Sequence, residues 1–293
     1  LRTRTCGELR KENVGEEVVL SGWVSKVRNL GALVFVDLRD RYGFTQINIS
    51  PELFENNSLK NEYCVQVKGK VSLKDVPNKN LATGEIEVIA SEIKVYSSSI
   101  VPPFIIADKT DALEDTRLKD RFLDLRRPYL QNNLILRSKI VKSVHEFFDN
   151  LGFVEVETPT LVKSTPEGAR DYLVPSRIKK GAFYALPQSP QIYKQLLKIP
   201  GMDWYYQVAR SYRDEDLRAD RQPEFTQVDV EMSFVEREDV LKVIEDLLNK
   251  VFKDTISYDL GKFKRISYKV AIELYGSDKP DMRFDLLLKD ISF

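Results

Sequence analysis

WYYQVARSYRDEDLRADRQPEFTQVDVEMSF, residues 204–234, is the stretch from which the rest of the chain is read. Its two ends alternate as strands do. In the first, Tyr206, Val208 and Tyr212 share one face and Gln207, Ser211 and Arg213 the other. In the second, Val228, Val230, Met232 and Phe234 form an apolar face, so Phe225, Gln227, Asp229 and Glu231 point the opposite way. The charged segment 214–224 between them is far longer than the roughly two to five residues that close a hairpin. Such a loop is either a solvated, salt-bridged tip or a segment with a task.

Arg213-Asp214-Glu215, followed by Arg221-Gln222-Pro223-Glu224-Phe225, resembles motif 2 of the class II aminoacyl-tRNA synthetases. In full, RDEDLRADRQPEFTQ is similar to the bacterial-type aspartyl-tRNA synthetases. A pattern this long and ordered is specific, unlike a lone glycine-rich match.

The 293 residues suffice for two domains, each with a core. The 45 basic and 45 acidic residues cancel, which excludes a uniformly basic nucleic-acid coat but leaves local patches such as Arg177, Lys179 and Lys180. Cys6 and Cys64 stand apart from each other and from the single histidine, His145, so neither a zinc cluster nor a disulfide framework is indicated. A reduced, cytoplasmic setting is expected. No apolar run reaches transmembrane length, and the sequence is polar from Arg2 onward, unlike a signal peptide. Because the chain opens on Leu1 and closes on Phe293, it reads as a fragment.

The expected fold is α+β and multidomain. Strand-like runs at 17–24, 33–37, 45–49, 64–72 and 86–96, with a helix-like insert at 51–61, predict a five-stranded OB-fold β-barrel. Val34, Val36 and Leu38 make the core face of the second strand, leaving Phe35 on the other face with Leu33 and Asp37. Phe35 either packs beneath the insert or stacks an unpaired base whose edges Lys26, Arg28 and Gln46 would read. CGELR at 6–10 and GWV at 22–24 resemble the N-terminal domain of the same family, which reads the tRNA anticodon. The resemblance thereby implies Arg28, Phe35 and Gln46 as anticodon contacts. Leu30 is similar to the form restricted to one tRNA, where the relaxed form carries histidine.

This anticodon-binding domain is expected over residues 1–100, and a linker or hinge over 101–130, marked by Ser97–Ser99, Pro102 and Pro103. Part of a class II catalytic domain, an antiparallel sheet with flanking helices, is expected over 131–293. Leu136, Ile140, Val144, Phe147 and Leu151 recur at helical spacing, Gly152 supplies the stop, and a strand over 153–157 ends at Thr158-Pro159. On its own this is an ordinary helix-to-edge-strand connection. It also resembles class II motif 1, which implies a homodimer interface. His145 has no Ser or Cys partner in the pattern and is read as structural. Residues 237–254 form an amphipathic helix.

Loop 164–177 combines glycine, proline and paired charges. The matching family loop closes over the amino acid, which implies that Glu167 binds its ammonium group. In LPQSPQIYKQ, at 186–195, a strand end turns into a helix and sets Lys194 near the helix N-terminus, against the macrodipole. That lysine is either solvated or paired with an anion. The resemblance implies the latter, with Gln191 and Lys194 binding L-aspartate and Lys194 pairing its side-chain carboxylate.

Amino-acid activation drives a carboxylate onto the α-phosphate of ATP, and a planar guanidinium between the two anions stabilises both. The resemblance gives Arg213 this role toward both substrates. Asp214, Glu215 and Gln222 would contact ATP, Phe225 would stack on adenine, and Gln227 would reach aspartate. Positioning and electrostatics then suffice without a side-chain nucleophile. Mg2+ is expected on the phosphates, with its protein ligands unassigned. The product would pass to tRNA(Asp). YGSDKPDMR, at 275–283, resembles the start of the family's inserted domain, and no glycine follows Gly276, so the glycine-bearing motif 3 is missing and this chain alone is expected to be inactive. Two alternatives remain. One is an asparaginyl- or lysyl-type enzyme, against which Lys194 and ARDY at 169–172 argue, and the other is a module that only binds tRNA.

Overall fold

The structure, a computed structural model, describes all residues except 166, 167, 217–220, 285, 290, 292 and 293. The chain divides into two compact units, Leu1–Ile135 and Leu136–Phe293.

The first unit is built on a closed barrel of order β1-β2-β3-β5-β4, formed by β1 (Glu17–Asn29), β2 (Val34–Asp40), β3 (Gly43–Ile49), β4 (Cys64–Leu73) and β5 (Ile86–Ser97). Helix α1 (Pro51–Asn57) connects β3 to β4, its N-terminus capped by Ser50. All pairings are antiparallel except β3 with β5. Strand β1 is long enough to serve two neighbours, and a shift in register between Val24 and Lys26 bends it from β4 toward β2. Gly22 lies in this crowded turn of the barrel: a Cβ there would come within 2.3 Å of the Arg39 carbonyl oxygen. Val18, Leu20, Val24, Val34, Val36, Leu38, Ile47 and Ile49 alternate into one dry core, as period-two patterning requires.

Residues 101–130, expected as a hinge, lie within this first unit. They include α2 (Glu114–Lys119) and α3 (Arg121–Asp124). Two buried acids hold the segment. Glu62 takes a bidentate contact from Arg39 at 2.8 and 3.1 Å and another from Arg126 at 2.6 Å, and Arg126 also lies over the Trp23 ring. Asp124 is fully buried and bonded to Arg121 and Arg127. Each charge taken out of water is therefore paired.

In the second unit a three-stranded sheet has the order β10-β9-β6, with β6 (Val154–Glu155), β9 (Trp204–Tyr212) and β10 (Glu224–Met232). Strands β9 and β10 are antiparallel, whereas β6 runs parallel to β9. The antiparallel pair β9–β10 is the body of the expected sheet, and β6 adds a short parallel edge. The long connection between β6 and β9, carrying the hairpin β7 (Leu173–Pro175) and β8 (Phe183–Ala185) and helix α5 (Gln191–Lys198), permits a parallel return.

Helices α4 (Pro128–Asn150) and α6 (Arg237–Ile256) supply Val144, Phe148, Leu247 and Val251 to a core with Tyr206, Trp204, Val208, Val230 and Met232. Phe148 takes the last buried turn of α4, and Leu151, expected in that stripe, is 42% exposed beyond the helix end. Phe234 also departs from its expected apolar face. It lies past the end of β10 at φ 60° and is exposed. A last helix, α7 (Tyr268–Tyr275), begins at the Ser267 cap and ends at Gly276.

Candidate active site and nucleic-acid interface

On the barrel, Arg28 in β1 grips Asp37 in β2 through two bonds of 2.7 and 2.8 Å and reaches Gln46 in β3 at 3.2 Å. Gln46 and Asn48 both donate to Glu87 in β5, at 2.7 and 2.9 Å. Phe35 is the strand partner of both Arg28 and Asn48 and lies outside the barrel core. The result is a half-buried aromatic ring bordered by a connected row of donors and acceptors, a surface suited to stacking a base and bonding its edge.

The β9–β10 pair places its polar residues on the sheet face opposite α4 and α6. Ser211 opposes Phe225, Ala209 opposes Gln227, Gln207 opposes Asp229 and Tyr205 opposes Glu231. At one end of this face the Arg213 guanidinium lies over the Phe225 ring, 5.3 Å from its centre. The backbone N–H of Arg213 is fixed to the Pro223 carbonyl, and its buried Nε has no hydrogen-bond partner. A buried, unpaired donor on a cation is costly in a finished structure, and an anion is its natural acceptor. In the middle of the face, Gln227 accepts from the fully buried Ser211 hydroxyl at 2.8 Å, which locks its amide.

At the other end, α5 delivers Lys194. Its ammonium lies 3.0 Å from Asp229 Oδ1 and 3.1 Å from Glu231 Oε2. Burial pushes the Lys194 ammonium down, but the bonds and charges of these two carboxylates outweigh it and hold the group above its usual value. Burial also pushes the Asp229 carboxyl up, more than Lys194 pulls it down. Asp229 Oδ2 is buried without a partner, so two acids facing one lysine leave an acceptor free at this end. From Phe225 to Asp229 is four strand residues, about 13 Å.

Two side segments frame this face. Asp214 N–H donates to the Arg170 carbonyl at 3.0 Å, which joins the hairpin loop to the 164–177 segment. Glu215 pairs with Arg221 at 3.3 Å. Gln191 opens α5, Gln222 is exposed, and Glu167 lies outside the described residues. Near the sheet edge, His145 contacts the Tyr206 hydroxyl at 3.1 Å and Glu155 at 3.2 Å. Beside it, Thr158, Pro159, Val208 and Arg210 border a cavity of about 520 Å³.

This arrangement has known counterparts. The family described as tRNA synthetases class II (D, K and N) matches residues 113–291, and the OB-fold nucleic acid binding domain matches residues 18–96. The chain belongs to the class II tRNA synthetases of the D, K and N group. An aspartate–tRNA ligase of Mycoplasma mycoides subsp. mycoides is 53% identical to it over 293 residues, covering 99% of this chain and 51% of that protein. An aspartate–tRNA(Asp/Asn) ligase of Thermoanaerobacter sp. is 55% identical over 299 residues, covering 99% and 50%. The crystal structure of asparaginyl-tRNA synthetase from Pyrococcus horikoshii complexed with asparaginyl-adenylate matches with a TM-score of 0.76 at 25% identity, covering 87% of this chain and 58% of that one. This class II chain thus spans about half the length of the curated relatives it matches.

Within this class II chain the structure brings Arg213, Phe225 and Gln227 onto one face with Lys194. It likewise brings Arg28, Phe35 and Gln46 together on the barrel. Reading residue types missed Asp229 and Glu231 as partners of Lys194, Glu87 as the partner of Gln46, and the buried Gln188, whose amide bonds Ala169 and Asp171. The first two were visible as acids on a polar strand face. Glu87 carried no such signal, because its pairing with Gln46 spans 41 residues across the one parallel junction of the barrel.

Proposed function

We propose that this chain forms the aspartate- and ATP-binding part, together with the anticodon-reading barrel, of an aspartate–tRNA ligase. The observation that carries the reading is the order of charges on one strand face: an under-bonded arginine over Phe225 at one end and a lysine held by Asp229 and Glu231 at the other. ATP lies with its adenine on Phe225 and its α-phosphate against Arg213, flanked by Asp214, Glu215 and Gln222. L-Aspartate lies toward Lys194, Gln191 and Gln227, with Glu167 on its ammonium group. An ammonium has three donors, and after Asp229 and Glu231 Lys194 retains one for the substrate's side-chain carboxylate. Asp229 Oδ2 adds an acceptor for the substrate ammonium.

Arg213 holds the attacking carboxylate and the phosphate together while negative charge builds, so positioning and preorganised charge carry the reaction. Mg2+ accompanies the ATP phosphates. Among the described residues no three His, Cys, Asp or Glu side chains converge as a metal site. Arg28, Phe35 and Gln46 read the tRNA(Asp) anticodon. The α4–β6–Pro159 element, with its neighbouring cavity, receives a second copy to form a homodimer. Among the described residues no helix is long and apolar enough to cross a membrane, and both cysteines are free, in keeping with a cytoplasmic protein.

The test is affinity for the sulfamoyl analogues of aspartyl- and asparaginyl-adenylate, measured by calorimetry on this chain. The aspartyl compound is expected to bind more tightly by roughly a hundredfold, since asparagine offers the remaining Lys194 donor a neutral amide in place of a carboxylate. Equal affinities would refute the aspartate assignment, and absence of binding by either would refute the site.

A further inference from the structure

Gln188 stands three residues before α5 and is 2% exposed. Its whole amide is directed to one neighbouring segment. Nε2 donates to the Ala169 carbonyl at 2.9 Å and to Asp171 Oδ1 at 2.5 Å, while Oε1 accepts from the Ala169 N–H at 3.3 Å. Ala169 and Asp171 flank Arg170, so one buried side chain fixes that residue from both sides. The Arg170 carbonyl accepts from Asp214 N–H in an isolated antiparallel bridge, and Asp214 directly follows Arg213.

Asp171 strengthens the connection. Besides Gln188 it accepts from the Ser164 hydroxyl at 2.7 Å and the Thr165 N–H at 3.2 Å. Burial pushes its carboxyl up, and these three neutral donors more than offset that and hold it below its usual value. A turn from strand to helix needs no such polar knot, since a buried amide is tolerated only where every bond is made. The Tyr212 N–H already donates to the Pro187 carbonyl at 2.9 Å, and the knot adds a second, side-chain link between the start of α5, which carries Gln191 and Lys194, and the hairpin loop that begins at Arg213.

We propose that Gln188 is a positioning residue that couples the amino-acid end of the site to its nucleotide end through Asp171, Ala169 and the Arg170–Asp214 bridge. The inference rests on the substrate assignment made above. A shift made by binding at either end is carried through the bonded 169–171 segment to the other, so the second ligand meets a site already adjusted. Coupling of this kind is reciprocal, so it can be read from either ligand.

The experiment measures L-aspartate affinity of this chain by calorimetry, with and without saturating α,β-methylene-ATP. The unsubstituted chain is expected to bind aspartate about fivefold or more tightly with the nucleotide present. In Gln188→Ala both ligands still bind alone, and the ratio falls to about one. Asp171→Asn, which keeps an acceptor for the Gln188 amide, retains most of the ratio, and Asp171→Ala reproduces Gln188→Ala. A merely structural role would weaken both ligands and leave their ratio intact, which overturns the inference, as does a ratio of one in the unsubstituted chain. Failure of the unsubstituted chain to bind either ligand overturns the substrate assignment itself.

Discussion

Lys194 Nζ lies 3.0 Å from Asp229 Oδ1, a bond that ties the first turn of α5 to the middle of β10 across 35 residues of chain. With Glu231 at 3.1 Å, one ammonium separates two carboxylates in a half-dry setting. Replacing the lysine by methionine keeps the stem's packing and leaves the acids facing each other. Lys194→Met is expected to cost about 3 kcal/mol of stability in urea unfolding, and adding Asp229→Asn is expected to restore most of it. If the single substitution unfolds at the native midpoint, the pair contributes nothing to the fold.

The same bond sets a pH signature. The Lys194 ammonium is held above its ordinary 10.5, so the folded state binds this proton more tightly than the unfolded one. The stabilisation is complete below pH 10.5 and is lost as pH rises through the folded value. Buried Tyr205 and Tyr206, whose hydroxyls are pushed up chiefly by burial, weaken the fold in the same alkaline range. They are present in both proteins and cancel in the difference. The stability gap between the native chain and Lys194→Met is therefore expected to narrow above pH 10.5, in unfolding series run at pH 8 to 12.

Arg213 over Phe225 makes a second prediction. Lysine would keep the charge but lose the planar contact with the ring and the forked donors needed to bridge two anions. Arg213→Lys is expected to lower affinity for the sulfamoyl aspartyl-adenylate analogue by roughly tenfold to a hundredfold. The urea midpoint should fall only slightly, because the Nε has no partner to lose and the ring contact is worth about 0.5–1 kcal/mol. Native affinity in this variant would remove Arg213 from the phosphate end.

Much of this was legible because it is periodic. Val34, Val36 and Leu38 announce the barrel core by alternation, and Val144 with Leu247 and Val251 announce the helix faces that cover the sheet. The motif 2 hairpin declares its polar face in the same way. What stayed hidden depends on distance in sequence. Nothing local says that Gln188 bonds Ala169 and Asp171, or that Arg126 folds back to Glu62 across 64 residues. Leu151 shows the other limit: periodicity marks a stripe but not where it ends, and α4 stops a residue earlier.

Phe35 is the sharpest case for separating binding from folding on the barrel. Its neighbours Val34 and Val36 are sealed in the core, while Phe35 itself stays outside that cluster. Its strand partners are Arg28 and Asn48, which join Gln46 and Glu87 in one bonded row that is already set before any RNA arrives. Phe35→Leu keeps an apolar side chain but removes the flat surface on which a base stacks. A base stacked on an aromatic ring is worth about 1–3 kcal/mol. Affinity for an RNA hairpin bearing the aspartate anticodon is therefore expected to fall about tenfold, with the barrel's thermal midpoint unchanged. A drop in that midpoint with RNA affinity intact would show that the ring packs beneath α1 instead, and the base-stacking role would pass from Phe35 to another part of the surface.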